Sequence, residues 1–217
     1  MISRKFFPAL LAGLLLLSVS VGGAQQQQSQ PQTPQPQQQG VTTYVVDTAH
    51  SNVGFTVPIL NGVSKVAGKF ADFTVTINYD ERDITKSSVN ATIKAASIDT
   101  GIEKRDAHLK NADFFDVEKY PEITFQSSRI EKKGNGFVAH GAFTMHGVTK
   151  EIALPVMPAG TFKNPTTNEM QMGFTAKLVV NRQDYGIAWR NPRAPNFVGD
   201  LVEIELNLLT RVPPKQS

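Results

Sequence analysis

Within four positions, Arg105, Asp106 and His108 bring together a permanent cation, a carboxylate and a titratable imidazole. Such a set can hold a charged head group or move protons near neutral pH. On a helix, Arg105 and His108 are three apart and share a face, whereas Asp106 follows Arg105 directly and points elsewhere. The three therefore form no compact triad. The spacing favours a structural role, in which Arg105 or Asp106 bonds backbone groups of neighbouring loops and positions the helix.

A second set, Asn181, Arg182 and Asp184 in NRQDYG, lies where a long alternating segment turns. An Arg beside a carboxylate pins such a turn. Arg182 or Arg190 would also suit a phosphate or a quinone oxygen through several N–H donors. The head-group candidates are thus Arg105, His108, Arg182 and Arg190. The four histidines, His50, His108, His140 and His146, are scattered without metal-ligand spacing, so no metal or cofactor is expected. Neither a G-x-S-x-G turn nor a phosphate-cradling G-x-x-x-x-G-K-[ST] occurs, and no catalytic residue is assigned. With no Cys in 217 residues, a disulfide framework, a thiolate zinc site and a catalytic thiol are excluded.

The chain opens with Arg4 and Lys5, an apolar stretch from Ala9 to Val21, and small residues at Gly22 and Ala24. This is the pattern of a signal peptide over residues 1–24, with an apolar run short of the roughly 20 residues that span a bilayer. It predicts export to the periplasm or beyond the cell. The formal charge is +3, and subtracting Arg4 and Lys5 leaves +1, too weak a field for nucleic acid. Residues 25–40 hold ten Gln and three Pro and no aliphatic or aromatic side chain, so burial cannot offset the entropy of ordering. They are expected to be a disordered linker before a domain at 41–217.

What must position these side chains is a set of strands. From Tyr44 onward apolar residues alternate with polar ones at period two. Phe73, Val75, Ile77 and Tyr79 alternate with Thr74, Thr76 and Asn78, and Val202, Ile204, Leu206 and Leu208 with Glu203, Glu205 and Asn207. Met170 to Val180 extends one apolar face over six alternate positions. Further strands are predicted over 44–47, 51–57, 87–98, 122–130, 136–145 and 150–157. Long antiparallel strands must protect their edges, and closure into an eight-stranded barrel removes those edges. The predicted class is all-β: an extended antiparallel eight-stranded β-barrel, lipocalin-like, with one short helix near an end.

That helix is expected from Thr100 to about Asn111, with Thr100 and Glu103 as a capping box. Phe114 and Phe115 follow it in a loop and would form a plug or, if mobile, a gate. Inside the barrel, small residues (Gly54, Ala91, Ala95, Ala139, Gly141, Ala176) share strands with large ones, which leaves room for a ligand. The cavity candidates are Phe55, Val57, Phe73, Val75, Phe125, Phe143, Met172, Phe174 and Leu178.

Several stretches together resemble the YceI-like family of periplasmic polyisoprenoid-binding proteins. They are HSNVGFTV (50–57), SIDTGIEKRDAHLKNADFFDVEKYPEITF (97–125), TMHGVTKEI (144–152) and NRQDYGI (181–187). The resemblance implies a lipocalin-like barrel whose apolar channel holds an isoprenoid chain, such as a polyprenyl phosphate or quinone-type lipid, for sequestration or transport. It implies no catalytic activity. The expected partner is that lipid and not a nucleic acid; transient contact with a membrane surface and a dimeric state stay open. Three other readings compete: an isomerase or hydrolase on the same barrel with His108 as base, an integral outer-membrane barrel, and a fully packed barrel acting through its surface.

Overall fold

Alternation closes this sheet on itself. The computed structural model describes residues 40–213, which contain β1 (Val41–Val46), β2 (Asn52–Ile59), β3 (Ser64–Phe70), β4 (Phe73–Asp80), β5 (Ser88–Lys94) and β6 (Ile98–Asp99). After α1 (Glu103–Lys110) come β7 (Glu122–Lys133), β8 (Gly136–Met145), β9 (Val148–Lys163), β10 (Met170–Asn181) and β11 (Leu201–Arg211). The signal peptide expected over 1–24, and the linker expected over 25–40 apart from Gly40, lie outside the described residues.

Eight strands form the ring, in the order β1, β4, β5, β7, β8, β9, β10, β11, all antiparallel. Pairing of Val45 with Arg211 and Val46 with Thr210 closes it. This is the predicted eight-stranded barrel. β2 continues the line of β1 after a short 3-10 turn at Thr48–His50, which the Asp47 side chain caps. β1 thus borders one end of β11 and β2 the other, where Asn52–Thr56 pair with Glu203–Asn207. β3 and the two-residue β6 extend the sheet beyond β2 at the end where α1 sits.

The alternation sets the core. Phe73, Val75 and Ile77 of β4 are buried, while Thr74 between them is exposed. On the outer surface Lys177 pairs with Glu205 at 3.1 Å and Lys150 with Asp184 at 3.2 Å. Such a charged exterior is unlike the apolar band of an outer-membrane barrel, so that alternative is overturned. β3 was not anticipated, β5 stops at Lys94 rather than running to 98, and β9 continues to Lys163.

The start of the helix also differs from expectation. The N-cap is Ile102, with no side-chain hydrogen bond, and Glu103 does not reach Thr100. The chain reverses at Gly101, whose φ of +77° suits glycine, so Thr100 lies outside the helix. Its N–H is bonded instead by the Asp106 carboxylate at 3.0 Å, and its hydroxyl donates to the same oxygen. Asp106 therefore does not point away from Arg105: both side chains converge on Thr100.

Candidate functional site

The inward faces of the ring do not fill the barrel. They enclose a cavity of about 240 Å³ with an apolar lining. That exceeds the roughly 150 Å³ apolar cavity that stays dry and takes up benzene. Phe55, Val57, Val75, Phe125, Phe143, Phe174 and Leu178 all line it. Two other candidates do not. Phe73 is buried in the core at 4% exposure, and Met172 packs against that core away from the cavity wall.

Small residues make part of this room. Ala91, Ala139 and Ala176 lie on the wall beside Gly54. Ala95 is fully buried beyond the end of β5 and contributes nothing to the cavity. Gly141 serves another purpose: a Cβ there would lie 2.2 Å from the Gln126 carbonyl, where β7 bulges between Ser127 and Arg129. Its lack of a side chain accommodates the bulge.

One end is closed by the segment around α1. Leu109, Phe114 and Phe115 line the cavity, and Phe115 meets Phe70 edge-to-face at 5.8 Å. Both adjacent aromatics are thus turned inward as a plug. Phe114 also contacts His108 at 5.0 Å and Trp189 at 5.2 Å between ring centroids.

The head-group candidates sit around this end with their polar atoms engaged by protein. Arg105 donates from Nε to Thr100 Oγ1 at 2.7 Å and from Nη2 to Thr100 O at 2.8 Å, seating the helix on its own lead-in loop. His108 Nε2 lies 2.9 Å from Asp113 Oδ2. Arg182 is 4% exposed and donates to the carbonyls of Gly199 at 2.9 Å and Ile187 at 2.6 Å and to Asp200 Oδ1 at 3.0 Å. Burial pushes its guanidinium below the usual value, against the opposing charge of Asp200. Arg190 holds Asp200 Oδ2 at 2.9 Å and the Pro195 carbonyl at 3.2 Å. Burial raises the Asp200 carboxyl, yet hydrogen bonds from Arg190 and Gln183 and the Arg182 charge outweigh it and hold the group below the usual range. Arg182, Arg190 and Asp200 thus lock the loop between β10 and β11 over the barrel end.

The other histidines are dispersed. His50 bonds Asp47, His140 bonds Glu131, and His146 bonds the Tyr185 carbonyl across the barrel end. Among the described residues no three His or carboxylate side chains cluster as metal ligands would.

Sequence reasoning missed wall residues beyond the cleanest strands, among them Ile84, Ser87, Ile130 and Phe137. Tyr79, Ser87, Thr175 and Arg182 are the residues with polar groups on an otherwise apolar wall, and Ser87 is 8% exposed. Nothing in its local sequence marks it out. Its place follows from the register of β4 and β5.

Comparison with known proteins agrees with this geometry. The YceI-like domain model matches residues 44–209. A UPF0312 protein of Shewanella sp. (strain ANA-3) is 37% identical over 163 residues, covering 73% of this chain and 84% of the relative. Burkholderia cenocepacia BcnA has a similar solved structure, with a TM-score of 0.67, 25% identity, and coverage of 76% of this chain and 98% of that one. A polyisoprenoid binding domain from Saccharophagus degradans, implicated in plant cell wall breakdown, superposes with a TM-score of 0.59 at 18% identity, covering 79% and 99%. At that identity the likeness is one of fold.

Proposed function

The chain belongs to the YceI-like family, and on that premise we propose that it binds the apolar tail of an isoprenoid lipid inside its barrel. The observation that carries this reading is the unfilled, apolar cavity running between β4, β7, β8, β10 and β11. Each CH2-sized group moved from water into such a wall contributes roughly 0.8 kcal/mol, so a long tail binds tightly without polar contacts. A solved protein of the same fold is described as polyisoprenoid-binding. The cavity of this chain supports the same class of ligand from its own residues.

The signal-peptide pattern of residues 1–24 supports a periplasmic or secreted carrier that sequesters or transports the lipid, a polyprenyl phosphate or a quinone-type molecule. The role in this reading is binding: His108, the base of the enzyme alternative, bonds Asp113 and packs its ring edge-to-face against Phe114 and Trp189. Native mass spectrometry of protein exported with its own signal, followed by organic extraction, tests the proposal. One prenyl-lipid mass per chain is expected. Protein that is empty and also refuses added prenyl lipids would overturn it.

A further inference from the structure

The hairpin of β9 and β10 outruns its neighbour on one side. β8 pairs with β9 as far as Val156, opposite Phe137, so Met157–Lys163 have β10 as their one partner strand. Three large apolar side chains stand exposed on this hairpin: Met157, Phe162 and Met170. None of them belongs to the core. Val156 lines the cavity, so Met157 beside it points outward. Single exposed apolar residues are ordinary on a protein surface, whereas three on one hairpin mark a contact.

The register surrounds these groups with cations. Phe162 lies opposite Gln171 and Gln171 opposite Arg211, so the three share one face of the sheet. Lys163 lies opposite Met170. The Met157 thioether fills the place of a Gly136 side chain, and Gly136 pairs with Lys133 at the turn into β8. Over 130–137 and 156–171 the chain carries Lys132, Lys133 and Lys163 against two carboxylates, Glu131 and Glu169. Glu131 is already held by Arg129 and His140. Among the described residues no salt bridge engages the three lysines, all of them exposed, whereas Lys94, Lys150 and Lys177 are each paired.

We propose that this hairpin docks the protein on an anionic phospholipid surface, with Met157 and Phe162 entering the head-group boundary and Lys133, Lys163 and Arg211 facing the lipid phosphates. Apolar groups rimmed by basic ones match such a surface on both counts. A second copy of the chain, added along the free edge of β9, matches neither. Pro158 supplies no N–H, Ala159 is bulged out of the register, and Gly160 has a φ of +133°, so the edge offers no regular ladder. Two copies would also bring their lysines together. The inference goes beyond the carrier reading and does not depend on it, because the patch lies outside the barrel.

Flotation of the full exported chain with vesicles of phosphatidylcholine, alone or mixed with phosphatidylglycerol, tests the docking. Binding is expected to the mixed vesicles and to weaken with added salt. Phe162→Ser should lower that binding about tenfold, and Lys133→Ala combined with Lys163→Ala about thirtyfold. These positions are exposed, so the melting curve should be unchanged in each variant. Val63→Ser, at the 84% exposed apolar residue in the turn between β2 and β3, should leave binding as it was. Equal binding to both vesicles, no effect of Phe162→Ser, or an equal loss in Val63→Ser overturns the proposal. So does self-association without vesicles that Phe162→Ser abolishes, which would give the patch to a second copy. A chain that takes up no prenyl lipid yet floats with anionic vesicles as expected overturns the carrier reading and leaves the docking surface in place.

Discussion

Gly68 of β3 lies directly opposite Phe55 of β2, and a Cβ at Gly68 would come within 2.4 Å of the Phe55 ring. The ring occupies the space a side chain would take, and it also forms part of the cavity wall. Gly68→Ala therefore pushes Phe55 toward the cavity, where there is room to yield. Overpacking costs about 1–3 kcal/mol, and removing a flexible glycine from the unfolded chain returns about 0.4–1 kcal/mol. The expected net loss is about 1 kcal/mol in urea unfolding, with a clear drop in affinity for the longest prenyl tails. An unchanged chain-length preference would show that Phe55 does not shape the cavity.

The same pair marks the limit of what was legible in the sequence. β4 and β11 were legible because large apolar groups fill alternate positions, as in Phe73, Val75 and Ile77. β3 alternates as well, through Val66, Gly68 and Phe70, but its middle inward position is empty to admit a ring from another strand. No local pattern reveals that. Arg105 and Asp106 defeated the spacing rule for a similar reason: Thr100 is folded back on them by Gly101 and is no part of the helix. The barrel and most of its wall were thus readable from periodicity. The partners of Arg182 and the place of Ser87 on the wall depend on register and loop packing between segments.

Filling the cavity tests its role without touching a charge. Ala176 lies on the wall at 6% exposure, paired with Leu206 on β11 and Val156 on β9. Ala176→Leu projects new methyl groups into free space and displaces about two CH2-sized units of ligand. At roughly 0.8 kcal/mol each, affinity for a prenyl lipid should fall about fifteenfold. Thermal stability should hold or rise slightly, because the added group fills a void. A fluorescent prenyl-analogue titration beside a melting curve reads both. Unchanged affinity would show that the tail does not pass Ala176.

Arg182 tests whether the loop between β10 and β11 is held from within. Its guanidinium is buried and bonds three carbonyls, those of Ile187, Val198 and Gly199, and Asp200, so truncation strands these acceptors. Breaking a buried pair by removing one member costs about 3–5 kcal/mol. Arg182→Met should lose about 3 kcal/mol of unfolding free energy. Arg190→Ala, which removes a half-exposed partner of the same Asp200, should lose less than about 1 kcal/mol. Comparable losses would mean that Arg190, and not Arg182, anchors the loop.

The titration of the folded state should show two separate limits. Asp200 is held below the ordinary carboxylate value of 3.8, so its contribution is full above that value and disappears as pH falls through the lower folded value. Asp47, held down chiefly by its hydrogen bond with His50, acts in the same acid window. Tyr44 is raised from 10.0 by burial, with Glu81 adding to the effect. A raised group contributes fully below its unfolded value, and that contribution is lost as pH climbs through the folded one. Urea unfolding between pH 3 and pH 11 should therefore give a plateau that declines in acid below about pH 4 and in alkali above about pH 10. Asp200→Asn should flatten the acid slope and Tyr44→Phe the alkaline one, each leaving the opposite limb in place. An alkaline limb that persists in Tyr44→Phe would belong to the other raised groups, Tyr185 through burial and Lys94 and Lys119 through their bonds with Glu122 and Tyr120.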